Sequence, residues 1–529
     1  MTASEPDFDV LIIGGGPVGQ FLTILLGRSG KRVCTVERWP DPYPLPRACG
    51  LNHESLRNMQ AAGLSEHLLP ILKSIMGDDI NYLFRNAHDE TLLEISWNRP
   101  GVCGWPEVAS FYQPDLEDRL DAAIRELATV ELRRGCEAIA CGDDGSRAWA
   151  TVRASAASNG ASAHSASAAT EETLTARYVI GADGANSLVR RAIGAEQHDL
   201  GFEYPWLVVD VLPKTEREFW PDVLQRCDPA RPTTSVTSGP GRRRWEFMCL
   251  PGESEQEMNT TETAWRLLEP WEVTPEDSIL VRHAVYTFKG VWSQEWRSGR
   301  LLLAGDAAHL MPPFLGQGLT SGIRDASSLA WRLRLVLEGK ADERLLDSYG
   351  PERRAHAQQV IEASVEVGKV ICMLDPEQAA ARDRQMIASL SEHDAAPPVW
   401  RLGPGVLLDG DPLAGTLAVQ GMVEVDGHVG LADDVIGRGF VLLGAREDPR
   451  EYLDEGAGAL WASIDGVTAG FGEDGPVRDV DLTYRDWFTT LGAEVALVRP
   501  DFYLFGSSPR IEDTSALVGK LAEAAHLSA

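Results

Sequence analysis

The sequence is short of positive charge, of paired cysteines and of long apolar runs, and each shortage closes off a class of function. Its 529 residues carry 49 Lys and Arg against 79 Asp and Glu, a formal net charge of −30. Nucleic-acid binding depends on Lys and Arg neutralising phosphates, so no nucleic-acid partner is expected. The acidic balance favours solubility and leaves room for a small anionic substrate in a locally basic pocket. The eight cysteines, at 34, 49, 103, 136, 141, 227, 249 and 372, form no C-x-x-C pair. Neither a zinc site nor a disulfide framework is therefore expected, and no metal. No apolar run approaches the ~20 residues that cross a bilayer, so no membrane partner is expected. The start, MTASEPDFDV, has neither a basic region nor an apolar core, so a signal peptide is not expected and a reducing cytoplasm is.

What is present is ordinary in bulk and specific in three places. The length suggests two or three domains, and a hydrophobic fraction of 44% is that of a globular protein. Fifteen tryptophans suit an aromatic-lined pocket, although core filling is their commoner use. The first place is 9–37. The run DVLII reads as a buried parallel strand. Gly14, Gly16 and Gly19 follow as G-x-G-x-x-G, then a helical stretch to Gly30, then a second strand ending in Glu37. Strand before, helix after and acid on the next strand together point to an ADP-containing dinucleotide. Its pyrophosphate would sit at the helix start, with Glu37 on the ribose hydroxyls. The second is 178–190, YVIGADGANSLVR, a strand that breaks into Asp183-Gly184 before a helix; alone it could be an Asp-Gly turn. The third is 303–326, LAGDAAHLMPPFLGQGLTSGIRDA. Here a strand stops at Gly305-Asp306, a loop carries Pro312-Pro313, Gly316 and Gly318, and a helix opens on small residues. Glycines before a helix let backbone N–H groups approach a ligand that carries negative charge.

Between these places the chain reads more blandly. Residues 41–52 are a proline-rich loop whose Arg47 could meet a phosphate or a flavin edge or could simply be solvated. A helix is expected over 55–69 and another over 115–127, with Gln113 as its cap or as a ligand contact. Residues 148–153 and 173–180 read as a hairpin joined by a small, polar loop in which His164 is solvated. Residues 205–292 are rich in extended signals and suggest an antiparallel layer. The alternation in WLVVDV puts Trp206, Val208 and Asp210 on one side without showing which side faces a site. Asp210, Arg243, His283 and Tyr286 are candidate polar contacts. Amphipathic helices are expected over 325–337 and from 349 to about 373, then a linker over 376–398, then a third unit suited to packing or oligomerisation.

The three motifs together, in this order, resemble the FAD-dependent aromatic hydroxylases, the single-component flavoprotein monooxygenases. Within them the sequence is similar to the 3-(3-hydroxyphenyl)propionate hydroxylases, through Pro46-Arg47-Ala48, Gly104-Trp105-Pro106, CDPARP at 227–232, RRWEFM at 243–248, LLLAGDAAH at 301–309 and Glu352-Arg353-Arg354. The resemblance covers 8 to about 370 and, through LADDVIGRGF at 431–440 and VRPD at 498–501, part of the remainder. It implies an α/β fold. An FAD-binding Rossmann-like domain of the p-hydroxybenzoate hydroxylase type would span 1–200 and 295–395. An antiparallel-sheet substrate domain would span 201–294 with parts of 75–112, and a thioredoxin-like C-terminal domain 400–529.

The resemblance also implies roles. Gly14, Gly16, Gly19, Glu37, Arg38, Arg47, Gln113, Asp183, Gly184, Asp306, Gly316, Gly318 and Leu319 would contact FAD. His53, Trp105, Trp206 and Phe314 would contact substrate, and Pro313, Asp210, His283 and Tyr286 would act in catalysis, with no residue singled out as the base. NAD(P)H, bound transiently, would reduce the flavin, and O2 would form a C4a-hydroperoxide whose distal oxygen passes to a small phenolic ring. The central loop departs from the phenylpropionate pattern, and 154–170 looks inserted, which opens the substrate to natural-product rings. Two other readings share the motifs: a tailoring epoxidase or Baeyer–Villiger oxygenase, and a flavin-binding protein without oxygenase turnover. A homodimer stays open.

Overall fold

The computed structural model describes residues 5–72, 81–97, 100–155, 170–390, 399–472 and 476–528. The small-residue stretch with His164, residues 75–80 and 98–99 of the expected sheet additions, and the 391–398 end of the expected linker lie outside the described residues.

Strand Phe8–Ile13 is buried from Val10 onward and lies in the middle of the parallel part of a mixed eight-stranded sheet. Val33–Glu37 pairs with it on one side and Glu172–Gly181 on the other. Val130–Arg134 lies beyond the first of these and Leu301–Leu303 beyond the second. Strands covered on both faces need continuous apolar runs, and FDVLII is one. The register sets Ile13 level with Val36 and with Gly181, and Gly181 level with Leu303. The three segments that leave these strands therefore emerge at one carboxyl edge. Backbone bonds hold them there: Gly14 N–H to Val36 O at 2.9 Å, Ala182 N–H to Ile13 O at 2.8 Å and Ala304 N–H to Gly181 O at 2.9 Å. The helix Pro17–Arg28 begins on proline, where a missing N–H costs nothing. It ends in a Schellman turn: Gly30 has φ +76°, and Lys31 N–H reaches Leu26 O at 3.1 Å.

A second, eight-stranded sheet is built around the long strands Gln197–Pro213 and Ser278–Ser293, with Arg243–Met248 beside the first. The strand Asn81–Arg85 joins it parallel to Val223–Arg226. Its two faces are distinct. Leu207, Val209, Val211, Trp245 and Phe247 form one core with Met258, Ala264 and Leu268 of the covering helices. Each such side chain contributes roughly 2 kcal/mol by leaving water. By alternation the other face carries Trp206, Val208, Asp210, Arg244, Glu246, Arg282, Tyr286 and Phe288, and it meets Phe314 of the central loop.

The central helix runs over Gly318–Leu337, so the small-residue opening and the amphipathic stretch from 325 are one helix, and it is buried on nearly every side. Its start packs on the Pro17–Arg28 helix, and Trp331 Nε1 donates to Asp501 of the C-terminal unit at 3.0 Å. That unit holds the sheet Val467–Gly470, Val441–Gly444, Val495–Val498 and Leu504–Ser508, in that order, with one parallel and two antiparallel pairings.

Three sequence expectations change. The helix over 55–69 is two pieces, His53–Ala61 and Ser65–Leu68, because Gly63 at φ +65° closes a Schellman turn with Leu64 N–H on Met59 O. It starts at His53 because Asn52 caps Ser55 N–H at 2.9 Å. The helix over 115–127 is Gln113–Arg125. The expected linker is, over Pro376–Ser389, a helix whose Arg382 donates to Cys227 O and Val370 O.

Candidate cofactor and substrate site

The glycines of the first loop are required by space. A Cβ on Gly14, already at φ +108°, would lie 2.2 Å from Ala182 O, and one on Gly19 would lie 2.0 Å from Gly14 O. A Cβ on Gly16, by contrast, would meet nothing within 4 Å, so this stretch of backbone is open to a ligand. The helix Pro17–Arg28 has no side-chain cap and no acid in its first turn, and the same is true of Gly318–Leu337. Both helix starts thus hold N–H groups without side-chain acceptors, where negative charge is favoured. They converge because position 322 is glycine: a Cβ there would lie 2.4 Å from Val18. Glu37 lies at the loop, its Oε2 accepting from Gly15 N–H at 2.7 Å and its Oε1 from Trp39 N–H at 2.9 Å. Arg38 is exposed and stacks on Trp39 at 5.6 Å.

Asp306 lies in the short turn Gly305–Ala307 that follows strand Leu301–Leu303 at the same sheet edge. The residue is exposed, and desolvation by neighbouring protein pushes its pKa up against the pull of His309 and Arg47. Its turn is held from below by Asp325, which was not singled out in the sequence. Asp325 Oδ2 accepts from Gly305 N–H at 2.9 Å and bonds His309 Nε2 at 2.7 Å, and its Oδ1 accepts from Arg353 at 2.9 Å. Burial works against the Asp325 charge, but His309 and Arg353 beside it prevail and hold its pKa below the usual range. Asp183 accepts from Leu188 N–H, the first residue of the following helix, at 2.6 Å; Ser187 caps that helix, and Gly184 makes the turn at φ +77°.

Gln113 is the first residue of its helix and not the cap, and its side-chain amide is engaged by protein. Its Oε1 accepts from the N–H groups of Arg47 at 3.0 Å and Ala48 at 2.7 Å, and its Nε2 donates to Glu117 at 2.7 Å. Arg244 grips the same loop from the other side by donating to the carbonyls of Pro46 and Arg47. The exposed Arg47 side chain lies 5.1 Å from the Tyr43 ring. Burial pushes the Glu117 carboxyl up to about 7.

On the inner sheet face, Trp206, Phe288 and Phe314 form a cluster with centroid separations of 5.6 to 5.9 Å. Trp206 and Phe314 are buried and make its floor; Tyr204, Tyr286 and Phe288 are half-buried. Tyr82, also unforeseen, donates to Phe314 O at 2.7 Å and so fixes the loop that Pro313 opens. Gly316, at φ +63°, and Gly318 bring that loop into the central helix ahead of Leu319. Tyr286 Oη accepts from Arg282 at 3.1 Å.

The geometry places five candidates. Asp210 is not a free base: its oxygens are committed to Arg244 at 2.8 Å and Arg282 at 2.9 Å. His283 is on the outer face, bonded to Thr261 at 3.2 Å and Asn259 at 2.7 Å. Arg243 is on that face too, tied to Pro221 O and Asp222 O, so the inner-face cations are Arg244 and Arg282. Trp105 donates to Gln60 at 2.8 Å, in the seam with the C-terminal unit. His53 is wedged against Gly101, where burial lowers its pKa.

A glycine loop, two helix starts without side-chain caps and an acid in the turn after a strand end, all at one sheet edge beside an aromatic face, define a dinucleotide-dependent enzyme of the flavoprotein kind. Comparison with known proteins makes this specific. The family described as FAD binding domain matches residues 7–364, and the HcaD C-terminal domain matches 415–524. A probable NADH-specific resorcinol 4-hydroxylase of Rhodococcus jostii (strain RHA1) is 37% identical, over 99% of this chain and 96% of its own. A 3-(3-hydroxy-phenyl)propionate/3-hydroxycinnamic acid hydroxylase of Comamonas testosteroni is 32% identical, over 99% and 98%. The flavin-dependent monooxygenase PieE, solved with FAD and substrate, shares the fold with a TM-score of 0.83 at 21% identity, over 99% of this chain and 100% of that one. The chain belongs to the FAD-dependent aromatic hydroxylases; it is a flavoprotein monooxygenase and FAD is its cofactor. No described helix is long and apolar enough to cross a membrane.

Proposed function

We propose that the enzyme uses NADH and O2 to hydroxylate a small meta-substituted phenol. The observation that carries this is the inner sheet face, which holds Tyr204, Tyr286 and Phe288 and where Phe288 meets Phe314 of the loop that leads into the central helix. Resorcinol and 3-hydroxyphenylpropionate, named for two relatives, share a ring with a hydroxyl meta to a second group. The NADH preference is that of the first relative.

The residues present fit FAD. The open backbone at Gly16 suits the pyrophosphate, Glu37 the adenosine ribose and Asp306 the hydroxylated chain, while the 316–319 backbone would face the isoalloxazine edge. When bound, FAD supplies hydride acceptance and O2 activation. The chain's own task is to orient the ring and keep water out. Phe288 and the Phe314 loop supply apolar walls. Tyr286, which accepts from Arg282, keeps its own proton free to donate to the ring hydroxyl. The nearby guanidinium favours negative charge on that oxygen, and electron density on the ring rises with it. Pro313 flanks the reacting position.

The reading takes the 1–200 and 295–395 parts as the cofactor domain, 201–294 as the substrate domain and 400–529 as a thioredoxin-like domain; the mixed four-stranded sheet supports the last. A cytoplasmic setting agrees with eight free cysteines, and a homodimer is compatible with it. The test is NADH and NADPH oxidation by the FAD-loaded protein across resorcinol, 3-(3-hydroxyphenyl)propionate and larger phenols, with product and H2O2 both measured. Stimulation by a meta-substituted phenol with ring product and little peroxide is expected. Stimulation with peroxide alone by every phenol would sink the substrate class.

A further inference from the structure

The C-terminal domain reaches the central loop through a chain of buried hydrogen bonds. Tyr503 Oη donates to Glu54 Oε1 at 2.7 Å; Glu54 Oε2 accepts from Arg324 Nε at 2.6 Å; Arg324 Nη1 donates to Gln317 Oε1 at 3.0 Å. Tyr503, Glu54 and Arg324 are each at most 4% exposed. Gln317 is the residue before the central helix, and its carbonyl accepts from Ser321 N–H at 2.8 Å. A second link, Ser55 to Thr320 at 3.2 Å, runs alongside.

The far end of this chain is rigid. Tyr503 leaves a tight turn in which Phe502 has φ +68° and Arg499 N–H donates to Tyr503 O at 2.9 Å. Arg499 pairs with Glu352 at 2.8 Å and with Asp501 at 2.6 Å, and Glu352 also pairs with Arg332 at 2.6 Å. Packing alone would not require a tyrosine hydroxyl here. Its removal would leave Glu54 one donor short in a dry site and would loosen the arginine that holds Gln317.

We infer that Tyr503 is a positioning residue for the flavin-edge loop, acting through Glu54 and Arg324 on Gln317, and that this is what the C-terminal domain contributes to turnover. The inference rests on the reading that 316–319 borders bound FAD. The test compares wild type, Tyr503→Phe, Gln317→Leu, the double variant and Leu443→Ala, a core truncation elsewhere in the same domain, each as FAD-loaded protein. Two readouts are taken: the visible circular dichroism of the bound flavin and the H2O2 formed per NADH oxidised with the best phenol.

Tyr503→Phe is expected to change the dichroism in the same sense as Gln317→Leu and to raise the peroxide fraction by roughly two- to fivefold as loop closure loosens. The double variant should be no worse than Gln317→Leu, since the two act in series. Leu443→Ala should lower Tm and leave both readouts alone. Arg324→Lys, which breaks the same chain at its middle, replaces Tyr503→Phe if that variant does not fold. Wild-type readouts in Tyr503→Phe beside altered ones in Gln317→Leu, or additive effects in the double variant, would overturn the relay. If Gln317→Leu itself changes neither readout, the loop is not at the flavin and the reading of the site falls with it.

Discussion

At the scale of single residues, two neighbouring aspartates on the central stretch have opposite jobs. Asp306 is exposed, and its carboxylate makes no hydrogen bond among the described residues. Asp306→Ala should therefore change stability by no more than about 0.5 kcal/mol, while FAD affinity, by flavin fluorescence titration, falls at least about tenfold. Asp325 is fully buried between His309 and Arg353. Asp325→Asn should cost roughly 3–5 kcal/mol in denaturant unfolding, because it strands the Arg353 charge. Equal losses of stability for the two variants would contradict this division. Glu117 supplies a pH signature. Its carboxyl is raised from 4.5 to about 7 in the fold by burial, so between these values the folded state holds a proton that the unfolded state releases. Stability is then lost as pH rises through that window. Glu117→Gln should remove a pH-dependent penalty on the order of 3 kcal/mol at full ionisation. Melts of the two proteins should converge near pH 5 and separate, with the variant ahead, by pH 8. A wild-type Tm that gains on the variant with rising pH would contradict the assignment.

At the scale of elements, the site is an agreement between strand ends and helix starts. The three motifs were legible in the sequence because each needs glycine or an acid at a strand's end, and spacing shows that directly. The sides of the strand 205–211 were not legible. Its sequence, PWLVVDV, is apolar on both faces because one packs on helices and the other on the central loop, so alternation carries no sign of which is inner. His283 and Arg243, on the outer face, therefore stand among the candidates, while the inner-face Arg244 and Arg282 do not. Gln113 and Tyr82 were beyond reach for another: each acts on the backbone of a segment far away in sequence. The role of Gly322 is a contact between two helices and can be tested as one. Gly322→Val would press on Val18 and Gly305; overpacking should cost about 1–3 kcal/mol and weaken FAD binding together with stability. Full stability with weakened FAD binding, or the converse, would show that the two helix starts are not coupled.

At the scale of the whole molecule, the helix His53–Ala61 joins the two ends of the chain. One side meets the central helix through Glu54, Ser55 and Asn58. The other meets the C-terminal domain, where Arg57 pairs with Asp433 at 2.7 Å and stacks on Phe502 at 4.2 Å. Arg57→Met should cost roughly 3–5 kcal/mol, because Asp433 is left buried without its cation. Limited proteolysis should then release the C-terminal domain earlier than in wild type; unchanged cleavage would mean that the seam is held elsewhere. Such seams were invisible in the sequence, which marks the C-terminal unit only as a change of texture.

The central claim is that one cleft serves FAD and a phenolic ring together. The measurement that tests it most directly is turnover of the FAD-loaded enzyme with NADH and a meta-substituted phenol under 18O2. The account predicts one 18O atom in the hydroxylated ring for each NADH consumed, and loss of that incorporation in Asp306→Ala in step with FAD occupancy. A ring product without 18O, or NADH oxidation yielding only labelled peroxide across the phenol panel, would contradict it.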